Sequence, residues 1–113
     1  MKNVYSIRQV NLYISNMFRQ DFMLNRIYVK GEVSNCKYHT SGHIYFSLKD
    51  DSGSLACVMF AGNRSGLKFQ MQNGQSVIVL GSISVYERDG KYQLYAREIF
   101  RMAWGCYMRS FRH

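Results

Sequence analysis

Five segments of alternating apolar and polar residues, turn-forming clusters between them, and a capped amphipathic segment ahead of the first predict a mainly β fold. The order of three strands, a short helical excursion and a long hairpin is that of a five-stranded OB-fold barrel, here preceded by an N-terminal α-helix. Gly31 and Gly81 fall inside strands, where a small closed barrel needs sharp bends. A sheet covered on one side by the helix is the competing architecture. The short, numerous strands favour the barrel.

Ser6 and Gln9 form a capping-box pattern, and Ile7, Val10, Ile14, Met17 and Phe18 follow at helical spacing. They predict a helix from about Ile7 to Gln20, with that stripe as its core-facing side. The first strand runs from about Arg26 to Ser34, with Val29, Gly31 and Val33 on one face and Tyr28, Lys30 and Glu32 on the other. Asn35 to Gly42 reads as a basic, aromatic loop. The second strand, His43 to Asp50, turns Ile44, Phe46 and Leu48 inward, and a turn at Asp50-Asp51-Ser52-Gly53 leads to the third, Ser54 to Phe60. Asn63 to Gln70 reads as a short helical excursion anchored by Leu67 and ended by Gly74. The fourth strand, Gln75 to Tyr86, turns Val77, Val79, Gly81, Ile83 and Val85 inward. Arg88-Asp89-Gly90-Lys91 is a hairpin signal with Gly90 at positive φ, and the fifth strand runs from Tyr92 to about Ile99. The domain division is therefore 1–21 for a helix packed on the barrel, 22–100 for the barrel, and 101–113 for an atypical tail.

A chain of 113 residues holds one core. Its apolar runs fall far short of the roughly 20 residues that span a membrane, and MKNVYSIRQV lacks the uncharged core of a secretory signal. Cys36, Cys57 and Cys106 are odd in number and show no CxxC spacing, so they read as reduced thiols of a cytoplasmic protein. The formal charge of +8 points to a polyanionic partner, most simply nucleic acid. No nucleophile–base pair stands out, and no metal or other cofactor is expected. His39 and His43, four apart around a Thr-Ser-Gly turn, fit hydrogen bonding or phosphate contact better than metal ligation.

Oligonucleotide-binding OB folds use the face of strands two and three, flanked by the one–two and four–five loops. That face should offer Tyr45, Ser47, Lys49, Val58 and Phe60. The loops add Lys37, Tyr38, His39 and His43 on one side and Tyr86, Arg88, Lys91 and Tyr92 on the other, with Arg64 in reach of a phosphate. Lys37, Lys49, Arg64 and Lys91 would track phosphates, while Tyr45, Phe60 and Tyr38 would stack bases. Phe60 has two readings, stacking a base or packing under another element. Leu55, Cys57 and Met59 would fill the interior, leaving Val58 and Phe60 outside.

The run Gly31-Glu32-Val33-Ser34-Asn35, Lys37, His39, Ser41-Gly42-His43, Tyr45-Phe46 and Leu48-Lys49-Asp50 resembles the N-terminal domain of the exodeoxyribonuclease VII large subunit. Val58-Met59-Phe60, Leu67-Lys68-Phe69, Asn73-Gly74, Ser84-Val85-Tyr86-Glu87 and Tyr92-Gln93-Leu94-Tyr95 continue the likeness, which covers about Val4 to Ile99. The resemblance implies a bacterial cytoplasmic hydrolase that degrades single-stranded DNA to short oligonucleotides. It further implies an OB-fold domain that binds the single strand, a separate nuclease domain, and a helical region that recruits a small subunit. On that implication, these 113 residues keep the binding step and are non-catalytic alone.

The likeness stops after Ile99. One set of codons for Arg101 to His113, read one base earlier behind a preceding C, encodes PDGMGLLYEEFQA, which looks like the family's continuation. Two readings of the tail stand, a frameshift near Phe100 and a genuine divergent tail; on the first, Trp104, Tyr107, Met108 and Phe111 are unselected and available for self-association. The alternative functions are an OB-type protein-interaction module and an RNA-binding module. Neither carries a nuclease role.

Overall fold

The computed structural model describes residues 3–102. Its elements are α1 (Ile7–Gln20), β1 (Ile27–Tyr38), β2 (Ile44–Lys49), β3 (Ser54–Met59), a 3-10 turn (Ala61–Gly66), β4 (Ser76–Tyr86) and β5 (Lys91–Arg101). The strands close into a barrel in the order β1-β2-β3-β5-β4, the predicted OB architecture. Every neighbouring pair is antiparallel except β3 and β5, which run parallel. Alternation does the folding work: Val33, Ile44, Phe46, Leu48, Cys57, Met59, Val77, Val79 and Leu94 all point into one core.

β1 ends four residues later than predicted, at Tyr38. Asn35 adopts φ 50°, and the pairing with β2 slips by one residue between Ser34 and Lys37. This bulge keeps Asn35 to Tyr38 in the sheet, where a loop was expected, because asparagine tolerates the left-handed region. It also inverts the alternation, so that Cys36 packs against the core and Lys37 faces out. β5 likewise runs past Ile99: Arg101 pairs with Val77, and the Met102 N–H donates to the Ser76 carbonyl at 2.9 Å. The strand thus continues two positions beyond the predicted boundary. The rest of the 101–113 tail, and its two readings and expected self-association, lie outside the described residues. The helical excursion falls earlier than predicted, at Ala61–Gly66, since Leu67 is taken up in a bridge to Ile99.

The strand glycines answer a demand of clearance. A Cβ on Gly81 would stand 2.1 Å from the Tyr95 carbonyl oxygen, and one on Gly31 would stand 3.1 Å from Leu48 Cβ.

The helix begins where the capping box places it: the Gln9 N–H donates to Ser6 Oγ at 3.0 Å and the Ser6 N–H to Gln9 Oε1 at 2.8 Å. Its contact face differs from the prediction. Ile7, Val10, Ile14 and Met17 are exposed, whereas Ser15 is 1% exposed. The helix docks on the β4–β5 hairpin through polar groups one turn apart. Asn11 Nδ2 donates to the Glu87 carbonyl at 2.9 Å, and Ser15 Oγ and Arg19 Nη2 reach Glu87 Oε2 at 2.9 and 3.0 Å. Phe18 completes the contact against Tyr92, with ring centroids 6.3 Å apart. A partly buried carboxylate needs donors, and this side of the helix supplies them.

Candidate nucleic-acid interface

Register places the outward side chains of four strands in rows. Lys37 lies opposite Tyr45, Tyr45 opposite Val58, and Val58 opposite Tyr95. The next row is Ser34, Ser47 and Ala56, and the one beyond is Glu32, Lys49 and Ser54. An aromatic row thus borders a lane of small side chains, with a cation at the end of one row and another across the lane.

The aromatic row is a connected platform. Phe60, just past β3, has its ring 5.0 Å from His43 and 5.6 Å from Tyr95. Tyr45 has its ring 6.3 Å from His43 and 6.0 Å from His39, each edge-on. Phe60 and Tyr45 each keep 42% of their surface exposed. Phe60 is packed in part, against His43 and Tyr95, and its remaining surface is open. Val58 is outside the core cluster, as expected, but only 3% exposed. Tyr45 and Tyr95 flank it, so it supports the platform and is closed to a ligand.

The one–two loop is a tight hairpin: the His39 N–H donates to the His43 carbonyl at 2.9 Å, and Gly42 takes φ 95°. The imidazoles are oriented by backbone. His43 Nδ1 accepts the Ala61 N–H at 2.9 Å, and His39 Nδ1 accepts the Ser41 N–H at 3.1 Å. His39 Nδ1 also lies 2.9 Å from Ser41 Oγ, so both rings are anchored at their Nδ1 edge, and in a neutral ring a Nδ1 that accepts leaves the N–H at Nε2.

Tyr38 and Arg64 stand apart from this face. The bulge turns Tyr38 toward the barrel end, where its hydroxyl accepts the Met71 N–H at 2.8 Å. Arg64 lies 5.3 Å from the Tyr38 ring centroid and donates to the Gly42 carbonyl at 2.9 Å. Together they brace the loop that holds the histidines.

On the other flank, Tyr86 pairs with Lys91 across the hairpin, and Gly90 takes φ 67° as its turn requires. Tyr86 and Lys91 share the outward face with Tyr95. Burial, and then the phenol of Tyr86, push the Tyr95 hydroxyl above its ordinary pKa. Arg88 is exposed at the turn. Tyr92 alternates to the opposite side and meets Phe18, so it belongs to the helix contact.

Tyr95 is the platform residue that sequence reasoning missed. Leu94 points inward, which signals that Tyr95 points outward. Its neighbourhood with Phe60, however, exists only because β5 closes the barrel against β3.

The face is short of acid. Glu32 is 3.9 Å from Lys49, and Glu87 is held by the helix. Among the described residues, no three His, Cys, Asp or Glu side chains gather as a metal site would need, and no helix is long and apolar enough to cross a membrane.

Residues 5–100 match the family described as OB-fold nucleic acid binding domain. The chain is 75% identical over 99 residues to the exodeoxyribonuclease 7 large subunit of Lachnoclostridium phytofermentans, covering 88% of this chain and 25% of that protein. It is 51% identical over 96 residues to the exodeoxyribonuclease 7 large subunit of Clostridium botulinum strain Okra, covering 85% and 24%. It thus spans about a quarter of the length of these curated relatives. Among solved structures, a replication protein A heterotrimer bound to ssDNA aligns with a TM-score of 0.58 at 14% identity, covering 71% of this chain and 59% of that one. The asparaginyl-tRNA synthetase from Pyrococcus horikoshii aligns at 0.56 and 17%, covering 70% and 20%. At such identities the structural likeness is one of fold.

Proposed function

We propose that this chain, which belongs to the OB-fold nucleic acid binding domain family, is the single-stranded-DNA-binding module of a bacterial, cytoplasmic exodeoxyribonuclease VII large subunit. The observation that carries this reading is the platform of Tyr45, Phe60 and Tyr95. It is half-exposed, edged by His39 and His43, and bordered by Lys37, Lys49 and Lys91. Bases stack on Tyr45 and Phe60, whose faces accept any base, while the lysines track the backbone. Tyr86 and Arg88 extend the track along the hairpin, and the Nε2–H groups of His39 and His43 donate to phosphate or base oxygens. Arg64 and Tyr38 act through the loop they brace. Stacking and charge read little sequence, so specificity is low.

In this reading the chain captures substrate for the whole large subunit. Hydrolysis of single-stranded DNA to short oligonucleotides and assembly with the small subunit belong to that larger protein. The chain itself binds without cofactor or metal. The identity to two exodeoxyribonuclease 7 large subunits supports the assignment. The test is the affinity for labelled oligo-dT of Phe60→Ala and Tyr45→Ala, each beside the unaltered chain. Loss of about 5- to 150-fold per ring is expected, corresponding to roughly 1–3 kcal/mol per stacked base. Unchanged affinity in both variants would remove the platform from the function.

A further inference from the structure

The 3-10 turn after β3 starts without a cap of its own. Phe60 occupies the cap position in extended backbone, and its side chain makes no capping hydrogen bond, since a phenyl ring carries no acceptor. The Ala61 N–H, first of the turn, would be left to water at such a terminus. It donates instead to His43 Nδ1 at 2.9 Å, across 18 positions of sequence. A second bond runs the other way, from Arg64 Nη1 within the turn to the Gly42 carbonyl at 2.9 Å. Between these bonds the two segments touch, for a Cβ on Gly42 would stand 3.0 Å from Ala61 Cβ. The one–two loop and the turn are thus closed on each other, and Phe60 is the residue that enters the closure.

The His43 ring also neighbours both rings that stack bases in the function proposed above. Its centroid is 5.0 Å from that of Phe60 and 6.3 Å from that of Tyr45, edge-on to each. We infer that His43 is the positioning residue of the platform: Nδ1 fixes the backbone beside Phe60, and the ring sets the distance of Phe60 from Tyr45. The inference rests on the stacking reading and adds to it the residue that holds the stacking rings in place. The clamp at Nδ1 and any ligand contact at Nε2 use different edges of one imidazole, so they are separable. A ligand contact adds to what Phe60 contributes, whereas the clamp acts only through Phe60. A Phe60 released from the clamp must be ordered again each time a base stacks on it. For one immobilised side chain that cost corresponds to about 2- to 12-fold in affinity.

The test is a double-mutant cycle on the full chain, with oligo-dT affinity measured for His43→Gln, Phe60→Ala and the pair, beside His43→Asn. Asparagine keeps an acceptor, Oδ1, where Nδ1 stood. Glutamine places its amide where Nε2 stood and leaves the Ala61 N–H without its partner. His43→Gln should bind about 2- to 12-fold more weakly than the unaltered chain, and should cost nothing further once Phe60 is alanine. His43→Asn should bind more tightly than His43→Gln. Without DNA, NMR should show faster exchange of the Ala61 amide and shifted Phe60 ring resonances in His43→Gln, with the amide still protected in His43→Asn. Additive losses in the cycle would show that His43 acts independently of Phe60 and would overturn the inference. An Ala61 amide and Phe60 ring indifferent to His43→Gln would overturn it equally. An unaltered chain that fails to bind oligo-dT would instead remove the stacking reading, and the two NMR readouts would still decide whether His43 fixes Phe60.

Discussion

The Gly81→Ala substitution strikes the point where β4 and β5 approach most closely. The added methyl carbon would lie 2.1 Å from the Tyr95 carbonyl oxygen, 2.9 Å from its carbon and 3.1 Å from Ala96 Cα. Carbon–oxygen contacts this short are repulsive, and the obstruction is backbone, which cannot rotate away. The strands must part by about 1 Å, in a barrel whose interior is packed at crystal density. Pairing there is already interrupted by the slip between Leu80 and Gly81, so the parting exposes or orphans buried ladder groups at about 1–3 kcal/mol each. The alanine recovers about 0.4–1 kcal/mol by restricting the unfolded chain. A net loss of about 2–4 kcal/mol follows, equivalent to a fall in Tm of some 10–25 °C for a domain of this size. Urea denaturation of Gly81→Ala beside Gly53→Ala measures it. Position 53 has nothing within 4 Å of an added Cβ, so that control should shift by less than about 1 kcal/mol in either direction. Equal midpoints for the two variants would refute the clearance argument. Because the displaced carbonyl belongs to Tyr95, any folded Gly81→Ala should also bind oligo-dT more weakly.

Glu87→Ala should release the N-terminal helix, since it removes the acceptor of the buried Ser15 hydroxyl and of Arg19. The loss should be about 1–3 kcal/mol, mostly from the orphaned hydroxyl, read as faster amide exchange over α1. Ser15→Ala should cost almost nothing further in that background, and an additive loss would show that the two do not interact. Burial pushes the Cys57 thiol up to about 12, so it stays protonated and unreactive in the folded chain, while the half-buried Cys36 is within reach of reagent. Peptide mapping after iodoacetamide treatment at pH 8 should find Cys57 spared until urea is added. Stability should decline as pH climbs from about 9 toward 12, because the unfolded chain loses this proton first. Native labelling of Cys57 at the rate seen in urea would contradict the burial.

The barrel was legible because its signals are local. Alternation about Val29, Ile44 and Val77 and the turns at Gly53 and Gly90 specify strands and order, and Ser6 with Gln9 specifies where the helix starts. What escaped depends on contacts between distant residues. A bulge at Asn35 inverts alternation without altering composition, so Lys37 read as a loop residue when it is an outward strand residue. The sequence offered one packing face for the helix, the stripe from Ile7 to Phe18, and the choice fell to Glu87, 72 residues beyond Ser15. An apolar stripe alone could not reveal that a carboxylate claims the adjoining side and leaves only Phe18 of the stripe against the barrel. Tyr95 joins Phe60 through the parallel pairing that closes the barrel, which no spacing along the chain encodes.

The central claim is single-strand capture by stacking and charge. Fluorescence anisotropy of labelled oligo-dT and a matched duplex, each titrated with the chain across a salt series, tests it most directly. Preference for the single strand is predicted, with log affinity falling, per tenfold rise in salt, by about 0.7 for each phosphate contacted, or about 2 for three contacts by Lys37, Lys49 and Lys91. Absence of binding at low salt, equal affinity for the duplex, or affinity indifferent to salt would contradict it.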